Sequence, residues 1–115
     1  MSEDLNIVGK TIVSACSSLT TFSCEFADGH GLMLQAMEGN APWLAGSVIS
    51  AQDLPKESDA VCKVDWSWIA GSRVAAADID KSAASLKLDK AGPLKISVQV
   101  WQGKPFLAFQ PYRAV

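Results

Sequence analysis

The sequence predicts an all-β fold, a small antiparallel barrel or sandwich built from two similar four-stranded meanders with internal pseudo-two-fold symmetry. Three observations carry this expectation: a segment that occurs twice, a period-two alternation of apolar and polar residues, and Gly-containing turns where the alternation breaks. Ile7 to Ala36, moved forward by about sixty-two positions so that Gly9 falls on Gly71, aligns without a gap on Ile69 to Val98. Self-similarity at a fixed period marks a repeated structural unit. Ile7, Gly9, Ala15, Ser23 and Leu32 meet Ile69, Gly71, Ala77, Ser85 and Leu94, and apolar character recurs where identity does not, as at Ile12/Val74, Cys24/Leu86, Phe26/Leu88 and Leu34/Ile96. One added residue in the second copy then aligns Pro42-Trp43-Leu44-Ala45 with Pro105-Phe106-Leu107-Ala108. The chain reads as a single domain, 1–115, with repeats 7–50 and 69–112 joined by a polar linker near 52–60.

The elements follow in order. Gly9 to Ala15 and Gly71 to Ala77, rich in Thr, Ile, Val and Ala, read as the first strand of each half. Thr20, Phe22, Cys24 and Phe26 alternate with Thr21, Ser23 and Glu25, and Ala84, Leu86 and Leu88 alternate with Ser85, Lys87 and Asp89. Such a period places one set on a buried face and the other toward solvent. The third strands continue it with Leu32, Leu34 and Ala36, and with Leu94, Ile96, Val98 and Val100 inward. Asp28-Gly29-His30-Gly31 and Lys90-Ala91-Gly92-Pro93 are the hairpin turns between them, since Gly accepts the positive φ of a tight turn. Second turns at 39–42 and 102–105 lead into Trp43 to Ile49 and Phe106 to Tyr112. The linker contains Pro55 and reads as a loop or one short helical turn. The alanines of 73–88, with Asp78 and Asp80 as potential caps, permit a helix over 79–87. The first copy places the β-formers Thr20, Thr21 and Phe22 there, so strands are expected in both.

At 115 residues the chain can bury roughly two thirds of its unfolded surface. A hydrophobic content of 49% with 19% charged residues argues against disorder. A net charge of −2 with scattered Lys and Arg gives no field for phosphate backbones, so no nucleic-acid partner is expected. The acidic start Ser2-Glu3-Asp4 is unlike a secretory signal, and no apolar run approaches a membrane span, so a cytoplasmic protein with no membrane partner is expected. Cys16, Cys24 and Cys62 are odd in number and widely spaced, which speaks against a disulfide framework.

No catalytic or cofactor signature emerges. His30 is the only histidine and sits in a turn, so it reads as a solvated residue, and no triad is specified by its neighbours. Cys16, Cys24, Cys62 and His30 offer metal-ligand chemistry without the short paired spacing that brings two ligands together, so no metal is expected. The carboxylate pairs Asp78/Asp80 and Glu57/Asp59 lie in turn or linker segments, where both members are solvated rather than driven apart in pKa. The glycines punctuate strands and form no phosphate-binding loop, so no cofactor is expected.

The aromatic residues are the candidate binding residues. Trp66 and Trp68 alternate, so both rings should share a face. Trp43 and Phe106 occupy matching places after the two prolines and read as core plugs. Trp101 is out of phase with the inward set of its strand and should point outward, near Met33 and Met37. These features favour a non-enzymatic binding or assembly module with a protein partner or self-association, a homodimer being one form of the latter. The second expectation is a small-molecule binder holding an apolar or aromatic ligand in a cleft between the halves, walled by Trp66, Trp68, Trp43 and Phe106.

Overall fold

Strands form where side-chain alternation continues long enough to give one apolar face and where a turn residue ends it. The computed structural model describes residues 6–54 and 65–110. Four strands, β1 (Ile12–Ser17), β2 (Thr21–Phe26), β3 (His30–Met37) and β4 (Trp43–Ser50), form one antiparallel sheet in the order β1-β2-β3-β4. A 3-10 turn, Ala51–Asp53, follows. The second sheet has the same order: β5 (Val74–Ile79), β6 (Ala83–Leu88), β7 (Gly92–Trp101) and β8 (Lys104–Gln110). The sheets pack as a sandwich and do not close into a barrel. No helix among the described residues is long and apolar enough to cross a membrane. The linker beyond Leu54, with Glu57, Asp59 and Cys62, lies outside the described residues, as does Tyr112.

The repeat extends to irregularities. In the first sheet the β1–β2 register shifts between Ile12 and Ser14, and in the second the β5–β6 register shifts between Val74 and Ala76. Both sheets thus carry the same one-residue bulge at the same place, with Val13 and Ala75 as the added residues. The turn after β1 is braced by the Ser18 hydroxyl, which accepts from the Thr21 N–H at 3.2 Å, and the turn after β5 by Asp80 Oδ1, which accepts from the Ala83 N–H at 3.0 Å. Bonds from the Ser82 N–H and hydroxyl, with that of Ala83, hold the Asp80 carboxyl below its ordinary pKa.

The halves meet through reciprocal backbone bonds. The Gly9 N–H donates to the Val74 carbonyl and the Gly71 N–H to the Ile12 carbonyl, each at 2.7 Å. The Ile12 N–H donates to the Ser72 carbonyl at 2.8 Å and the Val74 N–H to the Lys10 carbonyl at 2.9 Å. Thr11 and Arg73, themselves equivalent, form the bridge at the pseudo-axis. Gly9 and Gly71 take φ of 92° and 87°, the left-handed region that suits glycine, so the strands begin at Ile12 and Val74 rather than at these glycines as expected. At the far side the Leu44 N–H donates to the Lys81 carbonyl at 2.7 Å and the Leu107 N–H to the Leu19 carbonyl at 2.9 Å. The loop after each first strand therefore satisfies the fourth strand of the opposite sheet.

One apolar cluster fills the space between the sheets. It contains the equivalent pairs Ile7/Ile69, Ile12/Val74, Cys24/Leu86, Phe26/Leu88, Leu32/Leu94, Leu34/Ile96 and Leu44/Leu107. Three positions trade volume instead. Ser17 faces Phe22 across β1 and β2, whereas their equivalents Ile79 and Ala84 reverse large and small, and Gly46 is replaced by Phe109. Ala84 pairs with Ile79 on one side and Ile96 on the other, so the alanine-rich stretch is strand and not helix.

Two expectations about facing need correction. Ser23, expected outward to solvent, is only 3% exposed; it lies between Cys16 on β1 and Met33 on β3, with the Cys16 Sγ 3.2 Å from its hydroxyl. Leu54, which follows the 3-10 turn, is seated on the outer face of the first sheet against Gly31. Val100, expected inward, is 52% exposed, because β7 and β8 run beyond the end of the core.

Candidate functional site

A two-residue turn lets a hairpin extend as far as its flanking pairs continue. In the second sheet the pairs Val100↔Pro105 and Trp101↔Lys104 continue past Gln99↔Phe106 to the turn Gln102-Gly103. Gln102 and Gly103 have φ of 51° and 78°, the pair of positive values that a tight hairpin with the sheet's natural twist requires. In the first sheet pairing stops at the equivalent rung, Met37↔Trp43, and the polar segment Glu38-Gly39-Asn40 turns the chain. The β7–β8 hairpin therefore projects two rungs further than its counterpart, and its tip carries Trp101, 69% exposed.

Leu19 completes the surface from the other half. Its carbonyl is held by the Leu107 N–H, which brings the exposed Leu19 side chain to the base of the hairpin. Leu19, Trp101, Gln102, Lys104, Pro105 and Phe106 line an open cleft of about 360 Å³ there. Its walls are apolar, and Lys104 supplies the single charge among these lining residues. Such a surface buries an apolar group and offers one cation and one amide at the rim for an acceptor.

The expected site residues separate into three places. Trp101 and Phe106 come together in this cleft. Trp66 and Trp68 come together elsewhere, on a turn segment, stacked with centroids 6.3 Å apart. Trp66 is core: it meets Phe22 edge to face at 4.9 Å and Phe109 at 5.0 Å, and its indole N–H donates to the Ser17 hydroxyl at 2.9 Å. Trp43 stands opposite Met37 at the end of the first sheet and is 39% exposed, so it is not a core plug. Phe106 is half-buried. Met33 and Met37 lie on β3, opposite Ser47 and Trp43, and line no part of the Trp101 cleft. Leu19, Pro105 and Lys104 were missed in the sequence. The available signal was the repeat itself, which sets apolar Leu19 against Lys81 in equivalent polar turns.

The ionisable groups describe a stable surface. His30 is exposed, with Nδ1 3.4 Å from Asp28 Oδ1, and the Lys10 ammonium also engages the Asp28 carboxylate. The hydrogen bond from Lys10, followed by that from the His30 N–H, holds the Asp28 carboxyl down at about 2. Burial pushes the Cys24 thiol up to about 12, while the half-buried Cys16 Sγ lies 3.2 Å from the Ser23 hydroxyl. Among the described residues no three His, Cys, Asp or Glu side chains are grouped so as to hold a metal ion. No protein-family model matches the chain, and no curated protein or solved structure matches it significantly.

Proposed function

We propose that the chain is a non-enzymatic binding or assembly module whose contact surface is the β7–β8 tip with Leu19. The supporting observation is the comparison that the fold makes with itself. The bond from Leu107 to Leu19 and the bond from Leu44 to Lys81 are equivalent, so the fold needs the backbone at that turn and accepts lysine as its side chain. Likewise the first sheet has Glu38 and Gly39 where the second has Val100 and Trp101. Leu19, Val100 and Trp101 are therefore apolar beyond what the architecture demands, and they are exposed. Exposed aromatic side chains on a rigid hairpin are typical anchors of protein interfaces. The partner in this reading is a protein or a second copy of the chain, and the compartment is the cytoplasm, in keeping with three widely spaced cysteines that form no disulfide framework in the sequence.

The test compares the wild type with Trp101→Ser and Leu19→Lys by sedimentation velocity up to high micromolar concentration and by affinity capture. The expected result is self-association or a retained partner that both variants lose, with unchanged denaturation midpoints. A wild type that stays monomeric and retains no partner would overturn the proposal, and strong destabilisation by Trp101→Ser would make the indole a packing residue.

A further inference from the structure

The same internal comparison distinguishes the outer faces of the two sheets. On the first, Leu54 sits against Gly31 and Ser23 is buried. On the second, the equivalent positions are Pro93 and Ser85, both exposed, on an open cleft of about 670 Å³. Its other polar lining side chains are Asp78, Lys87, Lys95 and Gln110. Lys87 and Lys95 stand where the covered sheet has Glu25 and Met33, and among the described residues neither makes an ion pair. They lie on adjacent strands, with Lys87 opposite Pro93 and Lys95 opposite Ser85. Asp78, opposite Ser85 on β5, offsets one of the two charges and leaves the face cationic.

We propose that this face is a second docking surface, taking an extended acidic segment of a partner protein laid over the strands as the chain's own 3-10 turn and Leu54 are laid over the first sheet. The covered face supplies the template: an apolar side chain rests on the floor while the backbone is fixed by the Ala51 N–H, which donates to the Gly29 carbonyl at 2.9 Å. Pro93 in place of Gly31 raises the floor, so the partner's apolar side chain rests on the proline ring rather than in a notch. The lysines at 87 and 95 select carboxylates beside it, since an unpaired ammonium gains from an opposite charge brought within a few ångströms. This surface is separate from the β7–β8 tip, and neither proposal depends on the other.

The probe is the acetylated and amidated peptide with the sequence of residues 50–59, which contains Leu54 and the acidic residues Asp53, Glu57 and Asp59. It is titrated into the 15N-labelled protein while amide shifts are followed. The expected result is saturable shifts at Ala76, Ser85, Lys87, Lys95 and Gln110, weakened by added salt. The double variant Lys87→Glu/Lys95→Met, which installs the residues the first sheet already folds with, should weaken binding about tenfold. An absence of shifts at millimolar peptide, or shifts confined to the Gly31 face, would overturn the proposal. Shifts confined to Leu19 and Trp101 would overturn it while leaving the tip reading in place. Salt-insensitive binding would exclude the acidic partner chemistry.

Discussion

Replacing Phe22 by alanine removes one of the two largest side chains on β2 at a point where its surroundings cannot close in. Phe22 is fully buried, its ring lies 4.9 Å from Trp66 and 6.2 Å from Phe109, and its cross-strand partner is the small Ser17. Large-to-small core truncation of phenylalanine costs about 3 to 5 kcal/mol. The upper part of that range applies here, because edge-to-face contacts worth about 1 kcal/mol are lost along with the buried area. With an unfolding entropy of about 2.1 cal/mol/K per residue, a loss of about 4 kcal/mol lowers the midpoint of this 115-residue chain by roughly 17 °C. Urea denaturation followed by far-UV circular dichroism measures the change independently of the neighbouring indole. The second sheet solves the same position with Ala84 opposite Ile79, so Ser17→Ile/Phe22→Ala restores volume. It also removes the acceptor of the Trp66 N–H, at a cost of about 1 to 3 kcal/mol for a buried unpaired donor. The double variant should therefore remain destabilised. A loss below about 1 kcal/mol for Phe22→Ala would refute the reasoning, since a rigid aromatic cluster cannot lose that ring cheaply.

Other perturbations test separate parts of the structure. Gly31→Ala puts a Cβ against Leu54 and 2.9 Å from the Cys24 carbonyl oxygen; Leu54 can turn aside but the backbone cannot, so thermal denaturation should show a loss of about 1 to 3 kcal/mol, while Gly39→Ala, with open space around it, should show little. Cys24, with its thiol at about 12, should resist alkylation near pH ~8 in the native state and react fully once unfolded; rapid native labelling would contradict its burial. Asp28 is depressed from 3.8 to about 2, so its small contribution to stability is present above pH 3.8 and is lost as the pH falls through about 2. Lys10→Met should raise that midpoint toward the ordinary carboxyl value in a 13C-detected titration, and an unchanged midpoint would remove Lys10 as its cause.

The two meanders were legible in the sequence because a single offset relates six of the eight strands, and the alternation sets which side chains face the core. The bulges were not legible: Val13 and Ala75 continue an apolar run, and only the pairing reveals that they are added residues. Ser23 was read as solvent-facing because alternation assigns a face and says nothing of what covers it; its cross-strand neighbours Cys16 and Met33 flank it on that face. The inward reading of Val100 failed for the complementary reason, since the alternation persists where there is no core left to meet. Of the candidate site, outward Trp101 and its neighbour Phe106 were visible, whereas Leu19 reaches them only through the contact between halves.

The reciprocal bonds around Thr11 and Arg73 have a consequence for assembly. A surface whose donors and acceptors are satisfied by its own copy is isologous, the kind that closes a symmetric dimer. A chain holding one repeat would carry both halves of that handshake, but its association would depend on concentration. Joining the repeats makes the encounter intramolecular, at an effective concentration on the order of millimolar. It also lifts the requirement that positions related by the axis be the same residue. A symmetric dimer would have to place two copies of Phe22 or two of Ala84 across its interior, whereas the joined chain sets one against Ser17 and the other against Ile79. The same release permits one hairpin to grow a tryptophan-bearing tip while its twin stays short, so that a nearly symmetric body differs at its two ends.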